Sequence, residues 1–278
     1  MSEVYRLRID VAYVGREYHG WQIQPDTITV QGELRRCLTR LLGRDAIPVA
    51  AGRTDAGVHA KGQVAHLTVN TAEEVERVAR ALPGMVPSDI GIQDVRRVSP
   101  GFNARHSAIA RSYSYRIIQV RDIFRPHAWY VYRTLDREVM DRGAAAFLGS
   151  HDFTSFCKAK SLKKDHNLCD VTLCAFDWQD DSAIFHVQAN RFLHHMVRNM
   201  VGTLSEMGWG ERERDEIPAI LAARSRSASG QLAPPQGLVL EEVHYPEQLM
   251  DPEFNPVITP ARYPEHPKPP GPPEGDTQ

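Results

Sequence analysis

The arrangement in this sequence best suited to chemistry is an aspartate two residues from an arginine, in a turn bracketed by glycines. Residues 51–60 read Ala-Gly-Arg-Thr-Asp-Ala-Gly-Val-His-Ala, which sets Arg53 and Asp55 between Gly52 and Gly57. Glycine lets a backbone turn tightly and lets a substrate come close. A carboxylate held there by a guanidinium keeps its charged form and is ready as a nucleophile or base. The same residues also suit a surface turn in which Asp55 caps the backbone and Arg53 pairs in solvent, because Asp and Gly are frequent in turns. On this string alone both readings stay open.

Other residue types invite weaker readings. Tyr113 shares a strand face with Tyr115 and Ile117, so burial is its default role. Arg198 falls on the polar side of a helical stripe made by Leu193, Met196, Val197, Met200, Val201 and Leu204, where a solvated arginine is expected. His194 and His195 suggest a metal, but neighbouring side chains on a helix diverge by about 100 degrees and no third ligand is spaced to complete a site. No metal is expected. Lys158, Lys160, Lys163 and Lys164 crowd one segment, and such a cluster suits phosphate contacts as well as a solvated loop.

The elements that must position these residues follow from periodicity. Tyr5, Leu7, Ile9, Val11 and Tyr13 alternate with mostly polar residues, as in a half-buried strand. Leu34, Cys37, Leu38, Leu41 and Leu42 then form a helical stripe from Val30 that stops at Gly43. Strands over 47–50 and 63–69 flank the Asp55 turn. Thr71 and Glu74 make a capping box for a helix ending at Pro83-Gly84, and 90–98 is a further strand. The second half runs as a strand over 112–120, a helix over 137–148, strands over 171–178 and 183–189, and a helix over 192–207. A helix over 213–223, a Ser, Gly and Pro-rich loop over 225–237 and a last strand over 238–245 complete the order. This is an α/β (α+β) body, and the folded part is expected to end at Tyr245.

Composition narrows the function classes. The 278 residues are 42% hydrophobic and 24% charged, enough for a sizeable core in two units. No apolar run approaches the roughly 20 residues that span a bilayer, and residues 1–10 lack a signal-peptide core, so a cytoplasmic location is expected. The four cysteines form no CxxC pair, which predicts reduced thiols without disulfides or structural zinc. A net charge of -2 means that any nucleic-acid contact must come from local basic clusters. The last residues, rich in proline and including Lys268-Pro269-Pro270-Gly271-Pro272-Pro273, read as a disordered tail.

The residue 51–60 string resembles, over ten contiguous positions, the active-site motif of the bacterial tRNA pseudouridine synthase A family. Further blocks match that family in order: Gly20-Trp21-Gln22 with Val30-Gln31; Phe102-Asn103-Ala104-Arg105 with Ser107-Ala108; Arg111 to Tyr115; Asp152 to Phe156; His194 to Asn199; and Gly237 to Leu240. The blocks span about residues 5 to 246. After the lysine cluster the family usually carries a Thr-Arg pair, where this chain has His166-Asn167-Leu168-Cys169-Asp170.

The resemblance implies two similar ferredoxin-like or RRM-like halves joined across a basic cleft, here 1–103 and 104–246, with 247–278 as the tail. It implies isomerisation of uridine to pseudouridine in the anticodon stem-loop of tRNA, at family positions 38, 39 and 40, by a homodimer that needs no cofactor. Asp55 becomes the nucleophile, Tyr113 lies against the target base, Arg198 pairs with Asp55, and Leu238 or Leu240 floors the base. Arg53 and Arg105 become substrate contacts, with Lys158, Lys160, Lys163 and Lys164 as further RNA contacts. Two rivals stand beside this reading. A non-catalytic RNA-binding protein on the same fold would lack the Asp55 carboxylate, and a metal-dependent hydrolase would need a ligand cluster that the spacing does not show.

Overall fold

The computed structural model describes residues 4–161 and 167–249. Among the described residues, ten strands and five α-helices form a mixed α/β structure around one sheet. In the first half, β1 (Tyr5–Tyr13), α1 (Val30–Leu42), β2 (Val49–Ala50), β3 (His59–Val69), α2 (Ala72–Ala81) and β4 (Ile90–Val98) follow in order. In the second come β5 (Ala110–Ile118), β6 (Trp129–Tyr130), α3 (Arg137–Ala145), β7 (Gly149–Asp152), β8 (Leu168–Trp178), β9 (Ser182–Ala189), α4 (Met196–Gly208), α5 (Ile217–Ala223) and β10 (Leu238–His244).

The sheet order is β4-β1-β3-β10-β5-β9-β8-β7, with β2 beside β3 and β6 beside β5. The first half therefore runs β4-β1-β3-β2 and the second β10-β5-β9-β8, the same order of fourth, first, third and second strand. Helices α1 and α2 cross over in one half, α3 and α4 in the other. The seam is β10, antiparallel to β5 and parallel to β3 through only Val239–His59 and Leu240–Ala60. Strand β3 has room for this because β2 pairs farther along it, at His66 and Ala65.

Local signals explain the elements. Every second residue of β1 from Leu7 to Tyr13 is buried. Helix α1 starts on Thr29, whose side chain accepts from the Gly32 amide, and stops at Gly43 with φ 67°, a left-handed position that glycine tolerates. Thr71 caps α2 through the Glu74 amide, while the Glu74 carboxylate accepts from the Asn70 amide. Two apolar clusters fill the core, one in the first half around Leu7, Leu34 and Val78, the other in the second around Tyr115, Phe153 and Met200, and Tyr113 packs against both.

Several sequence boundaries shift. Strand β3 begins at His59, because its first residues find β10 as a partner from the far end of the chain. Helix α4 begins at Met196, later than the apolar pattern suggested, because His195 takes φ 70° and cannot continue a helix backwards. Strands β6 and β7 were too short to read from alternation. The folded part continues past Tyr245, since the Leu249 carbonyl accepts from the Ser99 amide. Beyond Leu249 the expected tail lies outside the described residues.

Candidate active site

Asp55 sits in the loop between β2 and β3, and four contacts fix that loop. The Trp21 amide donates to the Thr54 carbonyl at 3.1 Å, and the Gly57 amide donates to the Tyr18 carbonyl at 3.2 Å. Thr54 Oγ1 bonds the Tyr13 hydroxyl at 2.7 Å, and Gln63 Nε2 donates to the Gly52 carbonyl at 2.9 Å. Gly20 makes the first of these geometries feasible: its φ is 89°, and a Cβ there would lie 2.5 Å from the Thr54 carbonyl oxygen. The Gly20-Trp21 and Val30-Gln31 blocks thus act as a frame, since the Val30 and Gln31 amides in turn bond the Gly20 and Trp21 carbonyls.

Three side chains converge on the Asp55 carboxylate. Arg198 Nη1 donates to Oδ2 at 3.0 Å. His194 Nε2 lies 3.1 Å from Oδ1, and His195 Nε2 lies 3.4 Å from Oδ2. The solvated helix position read for Arg198 is overturned: α4 is buried on nearly every side, and Arg198 is 8% exposed. The guanidinium survives there because Nε also donates to the Ala233 carbonyl at 2.7 Å, so its charge is both paired and hydrogen-bonded. The Ala233 amide returns a bond to the Arg198 carbonyl.

The geometric ground for dismissing the histidine pair is overturned as well. Both precede the helix, the left-handed backbone at His195 turns the rings the same way, and Asp55 is the third group beside them. Burial pulls the His195 imidazole down to about 4, against the opposing pull of Asp55, so at neutral pH this ring carries no charge. His194 is held by Ser161 Oγ at 2.8 Å from Nδ1. Sequence periodicity could not find this pair, since the backbone turn that aims it has no signature in a run of apolar residues.

Tyr113 stands on β5 opposite Leu240 of β10, and Tyr115 stands opposite Leu238. The two leucines are buried, so these four side chains make one apolar face across the seam. Tyr113 is partly buried and packs edge-on against Phe192, with ring centres 5.0 Å apart. Burial pushes its phenol well above the ordinary value, and the charge of Asp55 adds to the rise, so Tyr113 keeps its proton at neutral pH.

Arg53 does not hold Asp55. Its side chain is exposed and no carboxylate lies within ion-pair distance of it among the described residues. Arg105, Lys158 and Lys160 are also exposed, while Lys163 and Lys164 lie outside the described residues. Arg111 is the arginine that pattern reading passed over as a site residue. It donates to the carbonyls of Ala51, Arg105, Ala108 and Asn190, tying the start of the Asp55 loop to both halves.

Residues 10–106 and 144–246 match the family model described as tRNA pseudouridine synthase. The chain is 45% identical to the tRNA pseudouridine synthase A of Moorella thermoacetica, over 86% of this chain and 99% of that protein. It is 43% identical to the tRNA pseudouridine synthase A of Halalkalibacterium halodurans, over 84% and 90%, and 38% identical to that of Myxococcus xanthus, over 86% and 92%. The chain belongs to the tRNA pseudouridine synthase family.

Proposed function

We propose that this protein is a tRNA pseudouridine synthase that isomerises uridine in the anticodon arm, with Asp55 as its nucleophile. The observation that carries the reading is the Asp55 carboxylate, half-open beside Tyr113 and clasped by the buried Arg198 at 3.0 Å. A preset ion pair orients the carboxylate and spares solvent reorganisation when the sugar or base begins to carry charge. In the reaction the N1–C1' bond of uridine breaks, the uracil turns, C5 bonds to C1', C5 loses its proton and N1 gains one. Attack at C1', proton abstraction at C2' and attack at C6 all start from the same carboxylate.

The target nucleotide must leave its stack, at a cost of roughly a few kcal/mol. Stacking on Tyr113 over the floor of Leu238 and Leu240 offsets part of that cost. Exposed Arg53, Arg105, Lys158 and Lys160 supply phosphate contacts that the net charge of -2 does not. In this reading the body divides near residue 103 into halves with matching strand order, acts as a homodimer in the cytoplasm, and requires no cofactor.

The test is tritium release from tRNA labelled at uridine C5. Wild type is expected to release label, and Asp55→Ala to bind the same tRNA without release. Release by Asp55→Ala at the wild-type rate would overturn the assignment of the nucleophile, and no release by either protein across a broad tRNA set would overturn the enzyme.

A further inference from the structure

The carboxylate of Asp55 faces two imidazole nitrogens as well as a guanidinium, and the isomerisation described above assigns no role to the histidines. Nε2 of His194 is 3.1 Å from Oδ1 and Nε2 of His195 is 3.4 Å from Oδ2, and the three ligand atoms lie within 4.8 Å of one another. Zinc bonds imidazole nitrogen and carboxylate oxygen at about 2.0 to 2.2 Å, so tetrahedral ligands stand about 3.3 Å apart. Each imidazole nitrogen stands near that spacing from its own carboxylate oxygen, His194 from Oδ1 and His195 from Oδ2, and a turn of the carboxylate presents one oxygen to both rings. The ligands need little movement to share one ion.

The surroundings supply what such a site requires. His194 Nδ1 meets Ser161 Oγ at 2.8 Å, an outer partner that fixes the ring while leaving Nε2 towards Asp55. The Lys158 amide holds the His194 carbonyl at 2.9 Å, which anchors the turn that presents both rings. The left-handed φ of 70° at His195 is an unusual conformation for a residue with a Cβ, and it is what brings adjacent side chains to one point. The side chains of Asp55, His194 and His195 are 21%, 39% and 17% exposed, so an ion can enter and a water can complete the coordination. Arg198 at 3.0 Å from Oδ2 opposes a cation, which makes the site reversible and weaker than a structural zinc.

We propose that Asp55, His194 and His195 form a reversible site for a divalent cation of the zinc class, whose occupancy silences the enzyme by tying up the Asp55 carboxylate. The site follows from geometry, whereas the silencing rests on Asp55 being the nucleophile.

The experiment uses the full chain, stripped with a chelator and free of RNA. Cobalt(II) is titrated as the spectroscopic probe and zinc by calorimetry, for wild type, Asp55→Asn, His194→Ala and His195→Ala, with thermal melts to verify folding. One equivalent with the visible absorption of tetrahedral cobalt is expected, weakened about tenfold or more in each variant. Absence of that spectrum in wild type, thiolate bands in its place, or binding unchanged in folded variants would overturn the site. A second arm measures tritium release from tRNA with and without zinc. Inhibition reversed by chelator supports the whole proposal. Binding at the three residues with full activity under saturating zinc overturns the silencing while leaving the site intact, and the nucleophile role is read separately from Asp55→Ala.

Discussion

At the scale of single residues, the site is an acid held from one side by the Arg198 guanidinium and faced from the other by two imidazole rings. Arg198 serves two acceptors at once, Asp55 Oδ2 and the Ala233 carbonyl, which only the forked guanidinium does from this position. Arg198→Lys is expected to lower single-turnover isomerisation about tenfold, and Arg198→Ala about a hundredfold, near 3 kcal/mol, because the buried guanidinium that pairs with the Asp55 carboxylate is lost. Stopped-time tritium release at saturating enzyme checks both. Gly20 carries a second prediction at this scale. Gly20→Ala places a Cβ against the Thr54 carbonyl at a φ of 89°, so it is expected to cost about 2 kcal/mol in urea unfolding and to reduce isomerisation by displacing Asp55.

At the scale of elements, the loop-and-strand geometry rests on histidines that must stay neutral. His59 at the start of β3 accepts from the Gly15 amide through Nδ1, and His66 farther along accepts from the Ala104 amide through Nδ1, each at 3.0 Å. Burial lowers both from 6.5 to about 4. Between these values the unfolded chain binds protons that the folded chain refuses, so stability is complete above pH 6.5 and falls as pH drops towards 4. The melting temperature is expected to follow that slope, and His59→Asn, which keeps an acceptor but does not titrate, to flatten it. Helix α2 gives the contrasting case. Thr71→Ala removes its N-cap and is expected to cost about 1 kcal/mol in denaturant unfolding while leaving tritium release unchanged, because α2 packs on α1 and β4, away from Asp55.

For the whole molecule, the decisive feature is the seam. Strand β10 closes the second half and lies against β3 of the first, so this strand sets the distance between the Asp55 loop and Tyr113. The segment before it is the strut: Ala233 holds Arg198, the Pro234 carbonyl accepts from the Tyr115 hydroxyl at 2.7 Å, and Pro235 packs on Gly57. Assembly belongs to this scale as well. Sedimentation equilibrium at micromolar protein is expected to give twice the chain mass of 31.3 kDa, and a chain that stays monomeric at these concentrations would remove the homodimer from the proposed function.

Much of this was legible in the residues themselves. The alternation of β1, the stripe and terminal glycine of α1 and the Thr71 cap are local, and local chemistry fixes them whatever the rest of the chain does. The 51–60 string singled out Asp55 only through its ten-residue resemblance to the family motif, since a carboxylate between glycines equally suits a surface turn. What the sequence could not determine was which cation would meet that carboxylate. Arg53 is two residues away and points to solvent, whereas Arg198 is 143 residues away and buried against it. The stripe that seemed to leave Arg198 on a wet face described only one side of α4; the strut at 231–237 covers the other. His194 and His195 were read as helical because periodicity cannot register one left-handed residue. Distances along the chain govern caps, strands and turns, but the candidate site is assembled by β10 and its preceding strut, whose contacts join residues too far apart in sequence for any pattern to connect.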